Sequence, residues 1–529
     1  MKYILSIFLI TLSTLAFAQQ NGSIVGALTD KGYNNEPLPF ANVIIKDTSI
    51  GTTSDFDGLY ALENVAPGTY IIQFSFVGYE TVELEATVIA DEVTTINVPM
   101  NTSAAALDEV IITTTTKRES EVALLLEQKK ATTQKQSIGA AELARKGVSD
   151  AAGAVAKISG VSKQEGGGNV YVRGLGDRYL NTTYNGLSLP SNDIEKKNMD
   201  LDLFSSDVIQ NVSVSKTYAA DFYGDFAAGN VNILSKDYSG KGFLDVNLGT
   251  VINTRAIGQD FVKSEGTSYF GYYNRYDNNP FAVVLSHGVD PEAAGSPIGI
   301  NGTISGGKSF DIGEESRFST FFTASFENGF EYLEGQEVDF TIVEKKRFPN
   351  VERYNYNTTT TAMANFIYKV NSDHKISFNS LFINSANDEV GYFGTKGLGT
   401  NRDAILDTDK GFYQMNVQFE QDMIYVNQLI GSHDLSEKLT FDWGIGYNAV
   451  DARQPDRKRI SIERFDLELD NDPNTNASFF SNIDFDNQRY FQDIRDEEWS
   501  SRLNFEYEAT EKLKFNVGFN GRTKERSFR

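Results

Sequence analysis

With 529 residues the chain is long enough for several domains, and it has no cysteine, three histidines and a formal net charge of -24. The lack of cysteine excludes a disulfide framework, a thiolate metal site and a cysteine nucleophile. The acidic balance speaks against nucleic acid as a partner, because phosphate contacts need a basic face. His287, His374 and His433 lie far apart in sequence, so no metal centre or histidine-based triad is expected, and no cofactor is implied.

Residues 1–18 read as an export signal. Lys2 supplies the positive end, residues 4–15 the apolar run, and Ala16-Phe17-Ala18 the small-x-small pattern that puts cleavage between Ala18 and Gln19. No later stretch reaches the roughly 18 apolar residues of a spanning helix. If this chain crosses a membrane, it crosses with strands.

Residues 19–100 form a small unit of their own. Strand-like runs at 23–28, 41–46, 70–76, 82–89 and 94–98 alternate with turn signals such as Asp57-Gly58 and Pro67-Gly68, which predicts a β-sandwich. The wording Pro39-Phe40-Ala41-Asn42-Val43, Thr53-Ser54-Asp55-Phe56-Asp57-Gly58-Leu59-Tyr60 and Val77-Gly78-Tyr79 is similar to the carboxypeptidase regulatory-like domain. The resemblance implies a prealbumin-like sandwich without peptidase residues, of the kind that precedes the plug in Bacteroidetes receptors. Asp55-Phe56-Asp57-Gly58 imitates the start of a calcium loop, but the later ligands and the closing Glu are missing. No metal is expected.

Residues 101–130 read as a linker with one insert, Asp108-Glu109-Val110-Ile111-Ile112-Thr113. Two acids before a β-branched run, in a polar segment, suit strand addition to the edge of a partner's sheet. A last strand of the preceding sandwich is the alternative. The insert resembles the TonB box, the energy-coupling segment of TonB-dependent receptors.

Residues 131–238 predict a compact α+β domain. Short helices are expected at 138–144 and 149–158, the second with Ser149 and Asp150 at its start and Gly160 beyond its end. Then come Val170-Tyr171-Val172-Arg173-Gly174-Leu175-Gly176-Asp177-Arg178-Tyr179, Asn185-Gly186, Val212-Ser213-Val214-Ser215-Lys216 and Gly224-Asp225-Phe226-Ala227-Ala228-Gly229. Short β-branched runs broken by Gly and Asn-Gly predict tight hairpins. These residues resemble the plug of TonB-dependent outer-membrane receptors. The resemblance gives Arg173, Gly174, Gly176, Asp177, Arg178, Tyr179, Asn185, Gly186, Lys216, Gly224, Asp225 and Gly229 structural and gating roles. Arg173 and Arg178 read as ties within the plug or to the wall around it, rather than as ligand contacts. Gly174-Leu175-Gly176 imitates a dinucleotide loop, but no suitable helix follows. The motif looks unlike the glycan-importing SusC branch.

Residues 239–529 alternate apolar and polar positions in repeated segments. Leu439, Phe441, Trp443, Ile445 and Tyr447 share one face, against Thr440, Asp442, Gly444, Gly446 and Asn448; Leu513, Phe515, Val517 and Phe519 repeat the pattern. Similar stripes run through 244–248, 302–309, 318–326, 362–368, 376–382, 415–419 and 503–507. The period predicts strands with lipid on one side and a polar lumen on the other. Short turns at 311–316, 371–374, 434–437 and 509–511 alternate with long polar connections at 253–301, 330–357, 386–411 and 451–487. A meander crossing a bilayer sorts its connections this way; a soluble sandwich has no reason to.

The fold class is therefore mainly β: a sandwich, an α+β plug, and part of an antiparallel transmembrane barrel. About nine strands of roughly 9–11 residues are expected, against about 22 in plugged transporters, so an N-terminal fragment is expected. The resemblance implies active import of a small solute (siderophore, vitamin, glycan or peptide) across an outer membrane. It implies TonB with its inner-membrane complex, outer-membrane lipid and a surface lipoprotein as partners. An adhesin or structural barrel is the competing class, and it would need neither plug nor coupling segment. An outer-membrane enzyme would need clustered acids or nucleophiles at one site; loop acids such as Asp493 and Glu498 are explained by solvation.

Overall fold

The computed structural model describes residues 21–101 and 121–529, apart from 32–35, 47, 49, 56, 77–78, 91, 132, 165–167, 194, 275–286, 398, 402–411, 464–477, 480–486 and 511–512. The expected signal, with Ala18 and Gln19, and the expected coupling segment 108–113 lie outside the described residues. The chain divides into two compact units, residues 1–113 and 114–529.

The first unit is the sandwich. Strand β1 (Gly22–Asp30) runs through one sheet, beside β3 (Leu59–Val65) and the short strands Val93–Thr95 and Val98–Met100. The other sheet contains β2 (Asn42–Ile45), β4 (Gly68–Ser75) and β5 (Val82–Val88). Alternate residues of both sheets, among them Ile24, Leu28, Val43, Ile45, Ile72, Phe74 and Val88, form one buried core. Strand β3 was not foreseen, although it alternates cleanly: Tyr60, Leu62 and Val65 are buried and Leu59 is exposed.

The second unit begins with helix α1 (Glu121–Lys130), inside the stretch expected to be linker. It is followed by β6 (Lys135–Gly139), α2 (Ala140–Arg145) and α3 (Ala151–Val155). The helix expected from residue 138 therefore starts two residues later. Ile138 lies in a strand because its backbone pairs with Val212 of the neighbouring strand, and the ladder decides against helix. Helix α3 starts as foreseen, with the Asp150 side chain accepting the Gly153 N–H at 2.7 Å. Strands β7 (Val170–Val172), β8 (Leu180–Tyr184), β9 (Ile209–Ser215) and β10 (Gly229–Ser235) complete the frame. The main sheet has the order β6, β9, β10, β8, and then the short strand Leu187–Ser188.

Among the described residues nine long strands follow, each paired with the next. They are β11 (Phe243–Ile252), β12 (Ile298–Ile312), β13 (Ser316–Phe340), β14 (Glu344–Lys369), β15 (His374–Phe393), β16 (Phe412–Ser436), β17 (Leu439–Glu463), β18 (Gln488–Thr510) and β19 (Leu513–Phe528). All nine apolar stripes read from the sequence fall in these strands. Their lengths do not match the expectation: β14 has 26 residues and β16 has 25, not about ten. The connection expected at 330–357 is mostly ladder, with Phe330 opposite Tyr356 and only 341–343 left as the turn. The outward stripe continues there through Phe330, Tyr332, Tyr354 and Tyr356, buried in one cluster, while charged and polar residues between them gave the stretch the look of a loop.

The wall is inverted relative to a soluble sheet. On β18, Asp496, Glu498 and Ser500 are buried while Trp499 is 56% exposed. On β16, Gln428 is buried and Leu429 exposed; on β17, Asn448 is buried and Ile445 exposed. Phe366, Phe378, Leu503, Phe505 and Phe519 lie exposed on the same outward face. Period two puts polar groups inward and apolar groups outward, which only a lipid-facing wall makes favourable.

Higher on the outward face the pattern changes. Tyr356, Asp388 and Phe419 lie on that face, and residues 261–273 fold back over it. The Asp388 carboxylate accepts from the Ser264 N–H and hydroxyl at 3.0 and 2.6 Å and from the Thr267 hydroxyl at 2.7 Å. The connection expected to be a free external loop is therefore partly a strap across the wall, above the apolar band. A cation at Ile445, in the band, should cost about 2–4 kcal/mol of barrel stability near mid-bilayer. Ile445→Arg in the protein reconstituted in vesicles should lower the urea midpoint accordingly. No change would contradict the lipid-facing assignment.

Candidate transport gate

Two tight turns of the plug share one design, one after β7 and one at the edge of the main sheet after β8. Arg173 and Gly174 have φ of 53° and 78°, and Asn185 and Gly186 have 53° and 79°, so both pairs occupy left-handed positions of two-residue turns. In the first turn Val172 and Leu175 exchange both backbone hydrogen bonds at 3.0 Å. The second turn carries the contact with the wall. The Asn185 side chain donates to Gln428 Oε1 at 3.0 Å and accepts the Ser235 N–H at 2.9 Å, while the Gly186 N–H donates to Asn232 Oδ1 at 2.8 Å.

Further polar contacts continue along the inner wall. Gln428 Nε2 donates to the Tyr184 carbonyl at 2.9 Å, and Asn448 Nδ2 donates to the Ser188 carbonyl at 2.8 Å. The Ser188 hydroxyl donates to Glu498, the Ser235 hydroxyl to Asn379 Oδ1 at 3.1 Å, and Asn192 Nδ2 to Asp422 Oδ2 at 2.8 Å. Apolar contact accompanies them: Tyr184 and Phe204 join one buried cluster with Met363, Leu381, Ile424, Val426 and Val450. Gly446 makes the approach possible, since a Cβ there would lie 2.9 Å from Ser500 Oγ and 3.2 Å from Leu187.

The remaining motif residues divide by task. Asp177 fixes the loop below the hairpins, accepting the Lys197 N–H at 2.6 Å and the Asn198 N–H at 2.9 Å. The Tyr179 carbonyl accepts the Ala227 and Ala228 N–H groups at 3.0 and 2.9 Å, which seats the Gly224–Gly229 stretch against it. Gly229 leaves room for the Ser215 carbonyl, 3.2 Å from where a Cβ would stand. Asp225 receives Arg522 Nη2 from β19 at 2.5 Å and lies 3.5 Å from Lys197 Nζ. Partial burial pushes the Asp225 carboxyl up, but Arg522 and Lys197 outweigh it and hold its pKa below the usual range. Arg173 donates to Gln134 Oε1 at 2.8 Å, within the plug. Lys216 is buried and donates to Gln136. Arg178 and Tyr179 are exposed, and Gly176 and Gly224 lie in the same loops.

The wall's share of the gate, Asn379, Asp422, Gln428, Asn448, Glu498 and Arg522, was not foreseen. Its one signal was polar residues at every second position of apolar strands, and Asn448 stood on the face read as luminal. Which of many such residues would meet the plug is set by contacts across 144 to 310 residues of chain.

Residues 24–112 match the CarboxypepD_reg-like domain, and residues 127–231 match the TonB-dependent Receptor Plug Domain. The first match extends over Asp108–Ile112. TonB-dependent receptor P3 of Formosa agariphila is 33% identical over 109 residues, 21% of this chain and 10% of that protein. TonB-dependent receptor SusC of Bacteroides thetaiotaomicron is 38% identical over 100 residues, 19% of this chain and 9% of that protein. The ferric citrate transporter FecA, unliganded, overlaps 77% of this chain and 58% of its own at 11% identity and a TM-score of 0.39.

Two tests bear on the gate. Gly186→Ala forces a left-handed alanine and should destabilise the plug by about 1–2 kcal/mol, read as a lower urea midpoint for plug release; an unchanged midpoint would contradict the turn. The Asp225–Arg522 tie contributes above the ordinary Asp range of about pH 4 and is lost as pH falls through the lower folded value. Plug release should therefore become easier on acidification below about pH 4, and Arg522→Met should weaken that dependence. With a carboxypeptidase regulatory-like domain matched at 24–112, a TonB-dependent receptor plug domain matched at 127–231 and an inverted strand wall after them, this chain is similar to the TonB-dependent receptors.

Proposed function

We propose that the chain is the gate-bearing part of an active importer, which takes a scarce solute from the cell surface into the periplasm with energy delivered through TonB. The observation that carries this reading is the plug itself, seated by polar side chains against the inner face of a wall whose outer face is apolar. An adhesin has no use for such a closure. The plug motif residues act as the frame of the gate, and Asp108, Glu109, Val110, Ile111, Ile112 and Thr113 as the segment a partner captures by strand addition.

Magnitudes support a pulling partner. Five or six captured backbone bonds at a net ~0.5–1.5 kcal/mol each supply only a few kcal/mol. Opening a folded domain costs roughly 5–15 kcal/mol. Each proton crossing an inner membrane held at ~100 mV releases ~2.3 kcal/mol, so a few protons close the gap.

Deleting residues 108–112 from the full-length receptor should abolish uptake while leaving solute binding at the cell surface intact. Unchanged uptake would remove the coupling assignment. Deleting residues 22–100 should leave barrel insertion intact, measured by protease-protected barrel in outer-membrane fractions; failed insertion would give the sandwich a larger part.

A further inference from the structure

We infer that Arg173 and Lys216 form a latch on strand β6, and that β6 is the element of the plug that leaves first under a pull from its N-terminal side. The inference rests on the import reading above and names the residues that set its first step. Strand β6 lies at the edge of the plug sheet, paired only with β9 among the described strands, over five residues from Lys135 opposite Ser215 to Gly139 opposite Asn211. Chain entering the plug reaches this edge directly, through α1, whose Leu124 is buried and whose Glu127 pairs with Lys135 at 2.6 Å.

The ties at the strand's entry are concentrated on two glutamines. Gln134 presents its carbonyl to the Lys216 N–H at 2.8 Å, its N–H to Thr217 Oγ1 at 3.0 Å, and its side-chain oxygen to Arg173 Nη2 at 2.8 Å. Gln136 Oε1 accepts from Lys216 Nζ. Arg173 is exposed at a left-handed turn position, and Lys216 is buried directly after β9. Among the described residues neither cation has a carboxylate within ion-pair distance, and the two repel each other. A latch made of cations on neutral amides holds an edge strand in register, yet leaves no buried ion pair to break when it opens. Beyond β6 the sheet is braced on the wall through Asn185, Ser188 and Ser235. The entering strand lacks that brace, so it is the weak end.

The test is single-molecule pulling on the full-length receptor in lipid vesicles, through a handle placed before α1. The first event should release chain from Glu121 to Gly139, about 65 Å at roughly 3.4 Å per residue, with the rest of the plug following at higher force. Arg173→Asn with Lys216→Met keeps a left-handed-tolerant turn residue and a long side chain, and should lower the first-event force without changing its length. Because the chain has no cysteine, Ser137→Cys with Ser213→Cys places the one disulfide of the protein between directly opposed residues of β6 and β9. Oxidation should abolish the short first event, and reduction should restore it. A plug that leaves in one long event, or a first-event force the Arg173 and Lys216 variants do not move, would overturn the latch. The instrument supplies the pull, so this outcome is independent of the deletion of residues 108–112, which alone decides whether TonB supplies it in the cell.

Discussion

Backbone hydrogen bonding in lipid constrains everything else in this chain. A strand inside a bilayer can leave no N–H or C=O unpaired, so spanning strands must each find two neighbours, and their outward side chains must be apolar. The residues between them then point inward and are free to be polar. Asn379, Gln428, Asn448 and Glu498 are polar for that reason, and a polar inner wall can hold a second folded domain without fusing to it. The plug meets the wall through amide, hydroxyl, carboxylate and guanidinium groups, and through an apolar seam around Tyr184 and Phe204. Contacts of this kind are specific in register and individually modest in strength.

Much of the fold was legible because two periodicities differ in what they demand. The wall announced itself through stripes such as Phe441-Trp443-Ile445, which must stay apolar on one side only. The two-residue turns announced themselves through Arg173-Gly174 and Asn185-Gly186, where positive φ favours Gly and Asn. Strand ends were not legible. Above the lipid band the ladder of β13 and β14 continues, but Glu331, Arg353 and Asn355 between the buried rings of Phe330, Tyr332, Tyr354 and Tyr356 made it read as loop.

The gate was only half legible, for a related reason. Its plug half sits in one short stretch, where local turns and a recognisable motif fix most positions. Its wall half is made of single polar residues on separate strands, and Asn185 meets Gln428 only because β8, the turn and β16 each hold register. The same holds for the latch. Gln134 and Gln136 look like ordinary polar residues before a strand, and only the pairing of β6 with β9 brings Arg173 and Lys216 to them.

The central claim is that the plug closes a lumen inside an inverted, lipid-facing wall. Planar-bilayer conductance of the full-length receptor, with and without residues 131–238, tests it most directly. Silence from the intact protein and large, stable channels from the folded plug-deleted protein are the expected result. Equal conductance from the two, whether both silent or both open, would contradict a plug that closes a pore.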